Sequence, residues 1–262
     1  FAPPSYHSGS VTYNRMARFA NGTSLELLGI TSHEQPATVG GAAHDFSYFD
    51  NGPSQFGFAL RSDNLPALVA QSRERGGSLS EPQYGEARLP DGSLRSWMSS
   101  HPTEIQDEQF LVVPFVIQYT TGWGPELWRG QGLLEHEIDY RGIAGVSITA
   151  NDEDVDALYL YNYGLINTIV GYDGVPFYPL DDGGFIEPLL GSADYASGSY
   201  KPFYPPQVHT IFLAVPDQNE AAAKLRAWRV EFVEEQRWDE RVALRIDPQT
   251  TMGLRFAFIS EE

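Results

Sequence analysis

The chain has 262 residues, 42% of them hydrophobic, with 35 acidic against 17 basic side chains, a formal net charge of −18 and no cysteine. That is enough apolar material for one large domain or two compact halves with a real core, and it argues against disorder. The charge disfavours nucleic acid and anionic membranes, no apolar run has the length of a membrane-spanning helix, and disulfides, thiol nucleophiles and thiolate metal sites are excluded.

The chain opens Phe1-Ala2-Pro3-Pro4, with no initiator Met and no charged-then-apolar leader. That start is expected of a processed, trimmed or partial chain, and a cytoplasmic location is expected. Its only lysines are Lys201 and Lys224. An acid-rich, lysine-poor surface is that of a soluble acidic protein and is compatible with a salt-tolerant source.

Residues 11–30 hold two apolar-rich runs flanking Asn21-Gly22, a strong hairpin signal because both residue types tolerate positive φ. Asn21-Gly22-Thr23 also spells a glycosylation sequon, which the turn explains without glycosylation. Residues 57–76 predict a strand ending at Asp63-Asn64, then a helix carrying Leu65, Leu68 and Val69 on one face and stopped by Gly77. The plan returns at 145–163, with Val155, Leu158 and Tyr159 on a helical face. It returns again at 210–229, with Ala221, Leu225 and Trp228, and with Asp217 and Glu220 as N-cap and partner. SLELLG (24–29) and FIEPLLG (185–191) are alike and each precedes the next strand-helix unit. Self-similarity at this period predicts stacked supersecondary units. The Gly-rich stretch 121–142 separates two halves, taken as 1–132 and 133–262.

HSGSVTYNRMARFANGTSLELLGI, GFALRSDNL, LPDGSLRSWM and VVPFVIQY, in that order, resemble the glyoxalase-like branch of the vicinal-oxygen-chelate superfamily over residues 5–120. GVSITAND, FIEPLLG, TIFLAVPD and DPQTTMGLRFAFI extend the resemblance through 143–259. It implies an α+β fold of tandem βαβββ modules forming open, cup-shaped mixed or antiparallel sheets. The first module is N-terminally incomplete, its first strand and helix falling before residue 1.

In that family the first strand of a module gives a His and the last a Glu, often around one divalent metal that stabilises an enolate. The His position falls here on Gly57, Gly145 and Thr210. His209 is one residue out of phase and enters a cup only if a bulge shifts the strand. The Glu position falls on Glu26, Gln118, Glu187 and Ala257. Glu26 and Glu187 are thereby the expected catalytic carboxylates. Glu26 and Gln118 are the expected, incomplete metal set on a common face, and His7, Asn14 and Gln118 the expected ligand contacts. The cofactor is left unknown. His136, in LLEHEID, is read as part of a solvated charged face, and the acidic run 152–156 lacks the Gly and Glu of a calcium loop.

The resemblance implies a lyase- or isomerase-type enzyme that abstracts a proton from a small oxygenated metabolite, with metal or with a carboxylate base. The alternatives are a non-catalytic binder that sequesters a small molecule, and a structural protein with vestigial cups. The partner is a small molecule, and monomer and homodimer are both open.

Overall fold

The structure is a computed structural model. It describes residues 1–7, 11–31, 37–39, 42–44, 57–89, 91–105, 112–150, 154–170, 175–190, 192–194, 199–201, 207–237, 239–251 and 253–261. The first part of the chain contributes β1 (Ser5–His7), β2 (Thr12–Arg18), β3 (Ser24–Ile30), the small β4 (Ala37–Val39) and β5 (Ala42–His44), and β6 (Ala59–Arg61). It continues with α1 (Leu65–Glu74), β7 (Gln83–Arg88), β8 (Leu94–Ser100), β9 (Phe115–Thr121) and α2 (Pro125–Gly130). The second part begins with β10 (Gly142–Ala150), α3 (Asp154–Tyr163), β11 (Thr168–Val170), β12 (Val175–Pro179) and β13 (Phe185–Leu190). After the small β14 (Ser192–Asp194) and β15 (Ser199–Lys201) come β16 (Gln207–Val215), α4 (Gln218–Ala227), β17 (Phe232–Gln236), β18 (Val242–Ile246) and β19 (Phe256–Ser260).

Two large sheets result, ordered β3-β2-β1-β7-β8-β9-β6 and β11-β12-β13-β10-β16-β19-β18-β17. In the second, β10 runs parallel to β13 and β16 parallel to β19, while β10 and β16 pair antiparallel. Two βαβββ units thus meet edge to edge through their first strands. In the first sheet β6 runs parallel to β9, closing a third unit around α1. The β1-β2-β3 meander matches β11-β12-β13, and the counterpart of β10 would fall between β3 and β6. The α+β fold of tandem modules with an incomplete first one is therefore what the chain adopts.

The repeat is clearest in four turns. Gly22 N–H donates to Phe19 O (3.0 Å), Gly92 to Leu89 O (2.9 Å), Gly183 to Leu180 O (3.0 Å) and Glu240 to Arg237 O (3.2 Å). In each, the preceding Asn21, Asp91, Asp182 or Asp239 accepts a backbone N–H two residues on. The residue after that Asn or Asp is left-handed, with φ from +66° to +85°. At Asn21 this is a three-residue hairpin loop with one left-handed position, Gly22, rather than the two-residue turn with two such positions that Asn21-Gly22 suggests. The hairpin itself, β2 to β3, is as expected.

α1 packs against α3, β8 and β9, and α4 against β19. Asn64 caps α1 through Ala67 N, and Asp217 caps α4 through Asn219 N and Glu220 N. Glu220 does not close a capping box, because its carboxylate pairs with Lys224 at 2.8 Å. Leu65 and Val69 of α1 pack with Val155 and Tyr159 of α3, Val116 of β9 and Ile148 of β10 in one buried cluster. Each such side chain contributes about 1.5–3 kcal/mol of burial. No helix among the described residues is long and apolar enough to cross a membrane.

Candidate functional site

Strand alternation places the site. Thr12, Asn14, Met16 and Arg18 of β2 share one face, and all four are buried. Met16 pairs with Glu26, so Glu26 rises on the same face. Ser5 pairs with Asn14, which puts His7 there as well. His7 pairs with Ala87, Ala87 with Arg95, Gly85 with Trp97, and Trp97 with Tyr119. The concave face of the first sheet therefore carries His7, Asn14, Arg18, Glu26, Arg95, Trp97 and Tyr119. Leu25 lies on the opposite face, in the cluster around α4.

The polar groups form a chain. Asn14 Nδ2 donates to Glu26 Oε1 (2.5 Å) and to His7 Nε2 (3.1 Å), and His7 Nδ1 meets Thr12 Oγ1 (2.6 Å). A ring whose Nε2 accepts is neutral and carries its proton on Nδ1, so Nδ1–H donates to Thr12. Burial holds the His7 pKa below its ordinary value; Glu26 opposes that shift and Arg95 adds to it. The Glu26 side chain is exposed, not enclosed among apolar neighbours.

Cations and aromatic rings make up the rest of the face. Arg95, 1% exposed, lies 5.8 Å from the Trp97 ring and 5.8 Å from the Trp123 ring. Trp123 stacks on Tyr119 at 3.6 Å, and Trp128 meets Trp123 edge-on at 4.6 Å. Arg18 lies over Trp128 at 5.3 Å, and burial and the nearby Arg95 lower its pKa to about 10. Burial raises the Tyr119 pKa, so the phenol stays protonated at neutral pH.

This donor set does not fit a divalent metal. No cluster of three His, Cys, Asp or Glu exists among the described residues. Beside Glu26 and a neutral His7, the cup wall is built of guanidinium groups, which repel a cation.

Three of the expected assignments change. Gln118 pairs with Met98 and faces away from Glu26. Its Oε1 accepts from Leu65 N (2.8 Å) and its Nε2 donates to Asp63 O (3.0 Å), so it braces the start of α1. Counting six residues from the equivalent turn residues Asp91 and Asp239 makes Trp97 match Arg245; their partners Tyr119 and Ala257 then match. The expected equivalence of Gln118 with Ala257 is one residue out, and a one-residue slip reverses the face. Glu187, expected as a second base, is 7% exposed and pairs with the buried Arg237 at 3.3 Å. Arg237 in turn lies over the rings of Phe212 (4.2 Å) and Phe185 (5.0 Å), so Glu187 is held by the second sheet's own side chains, while an open cavity of about 870 Å³ lined by Thr210, Arg245 and Arg255 lies elsewhere on that sheet. His136, expected on a solvated face, bonds Arg18 O through Nε2 (2.7 Å) and packs on Phe19. The bulge that would admit His209 is present: Ser147 pairs with Thr210 but Ile148 with Val208. His209 then lies near Arg255 and Arg245, which with burial lower its pKa to about 4.

Sequence reasoning missed Arg95, Trp97, Tyr119 and the two later tryptophans. The signal for Arg95 was an ion beside Trp97 in the strand LRSWM, the same kind of anomaly that singles out Glu26.

Strands wrapping a concave face, built from repeated βαβββ units, define a vicinal-oxygen-chelate fold. The glyoxalase-like domain family model matches residues 1–160, and the chain belongs to that family. A hypothetical protein from Staphylococcus aureus is similar at 12% identity over 98% of this chain and 88% of that one, with TM-score 0.66. Methylmalonyl-CoA epimerase from Mycobacterium tuberculosis is similar at 16% identity over 49% of this chain and 93% of that one, TM-score 0.41. A Streptomyces coelicolor methylmalonyl-CoA epimerase in complex with 2-nitronate-propionyl-CoA is similar at 20% identity over 45% and 95%, TM-score 0.36. A search of curated proteins finds no match.

Proposed function

We propose that the chain is an enzyme of lyase or isomerase type. It takes a proton from carbon next to a carbonyl group of a small metabolite, with Glu26 as the base. The observation that carries this reading is the Asn14–Glu26 hydrogen bond of 2.5 Å: a buried amide fixes Oε1 of an exposed carboxylate on a concave face. With Oε1 held, Oε2 is the oxygen that meets the substrate.

In the proposed step the substrate C–H breaks, its proton passes to Glu26, and the electron pair moves onto the carbonyl oxygen as an enolate. The neutral Tyr119 phenol and the Arg95 guanidinium sit on the same face and stabilise that oxygen. Returning the proton to a different face or atom gives an epimer or isomer, and expelling a neighbouring leaving group gives the lyase outcome. Neutral His7 holds Asn14 without competing for the proton. Incubation with small carbonyl compounds in D2O tests the reading by proton NMR. Enzyme-dependent loss of the C–H signal next to the carbonyl is expected, and its absence across the panel favours the binding protein instead.

A further inference from the structure

We propose that the cup of the first sheet is an anion seat, and that the substrate is a small carboxylate whose charged oxygens rest on Arg95 and Arg18. This rests on the reading of that cup as the site and adds the chemical class of its ligand.

The first observation is charge without a partner. Acidic side chains outnumber basic ones 35 to 17. On the second sheet Arg237, Arg241 and Arg245 each sit within 4.0 Å of a carboxylate. Arg95 and Arg18 are 1% and 4% exposed, yet neither has a carboxylate in ion-pair range among the described residues. The polar contact of the Arg95 head group is Nη1 to Met16 Sδ at 3.2 Å, a weak acceptor. A buried guanidinium without a counter-charge is costly, and a ligand anion supplies that charge.

The second observation is unmet donors. Arg95 Nε, Arg18 Nε, Trp123 Nε1 and Trp128 Nε1 are all buried with no acceptor. They form one patch, because Arg95 lies against Trp123, Trp123 against Trp128, and Trp128 under Arg18. Buried N–H groups normally find partners, and four orphans in one patch call for an acceptor-only group such as a carboxylate. The rings of Trp97, Trp123 and Trp128 lie 5.3–5.8 Å from the guanidinium carbons and contribute no acceptor for their N–H groups.

Oxalate and its uncharged isostere oxamide test the proposal, read by quenching of the tryptophan fluorescence. The wild-type chain is expected to bind oxalate saturably and oxamide at least tenfold more weakly. Arg95→Met, which keeps the packing between the two rings, is expected to weaken oxalate binding at least tenfold, with Arg95→Lys in between. No saturable oxalate signal, equal affinity for oxamide, or undiminished binding by a folded Arg95→Met each overturn the seat. The wild-type comparison decides the matter if Arg95→Met does not fold. Failure of the base reading looks different: oxalate binds as expected, while proton exchange is unaffected by Glu26→Gln.

Discussion

Asn14 and Glu26 lie diagonally across the β2–β3 pair, with Nδ2 of one 2.5 Å from Oε1 of the other. Asn14 is 1% exposed, so it cannot swing away, and it holds the carboxylate from below. Replacing it by Ala frees Glu26 to move while leaving its charge in place. Asn14→Ala should lower kcat by about tenfold to a hundredfold, the scale of a misplaced catalytic group. KM should change little, because the anion seat is untouched. Steady-state kinetics of the folded variant checks this; an effect on KM alone would make Asn14 a ligand contact rather than a positioning residue.

Gln118 should behave as a structural residue. Gln118→Leu removes both contacts at the start of α1 and should cost about 1 kcal/mol, the usual scale for a lost helix-terminal partner. Urea unfolding measures that loss. Oxalate affinity should stay within twofold of wild type, since Gln118 points out of the cup.

His209 makes stability pH-dependent. Its pKa is about 4 when folded and 6.5 in its ordinary state. Between those values the unfolded chain binds the proton and the folded chain does not, so stability falls as pH falls from 6.5 towards 4. His209→Gln should flatten that part of the profile and leave stability above pH 7 nearly unchanged. His7 is shifted in the same direction, so some slope should persist. Thermal unfolding at pH 7.5 and pH 4.5 gives the comparison.

The order of modules was legible because SLELLG and FIEPLLG recur, each ahead of a strand-helix unit, and Asn21-Gly22 marked one hairpin. Asp91-Gly92 and Asp182-Gly183 carry the same local mark, an Asx side chain before a left-handed glycine, and went unread. The fourth turn hid the pattern by using Glu240 in the same conformation. Glu26 stood out because an acid between Leu25 and Leu27 breaks an apolar alternation. Gln118 was misplaced because the last strand of the second module carries a shift opposite Ser96 and Trp97, which no residue pattern announces. Glu187 repeats the sequence context of Glu26, but Arg237, which occupies it, lies 50 residues away. Arg95, Trp123 and Trp128 come together only when β8, the loop after β9 and α2 fold onto one face.

Deuterium exchange by wild type, Glu26→Asp and Glu26→Gln tests the central claim most directly. The substrates are small 2-oxo and 2-hydroxy carboxylates in D2O, followed by proton NMR. Glu26→Gln should keep the fold and still bind oxalate, because it removes a carboxylate rather than a cation. Its exchange rate should nevertheless fall by about a hundredfold or more, the lower end of what a positioned base supplies. Glu26→Asp should retain part of the activity. Exchange by Glu26→Gln at the wild-type rate would contradict the account.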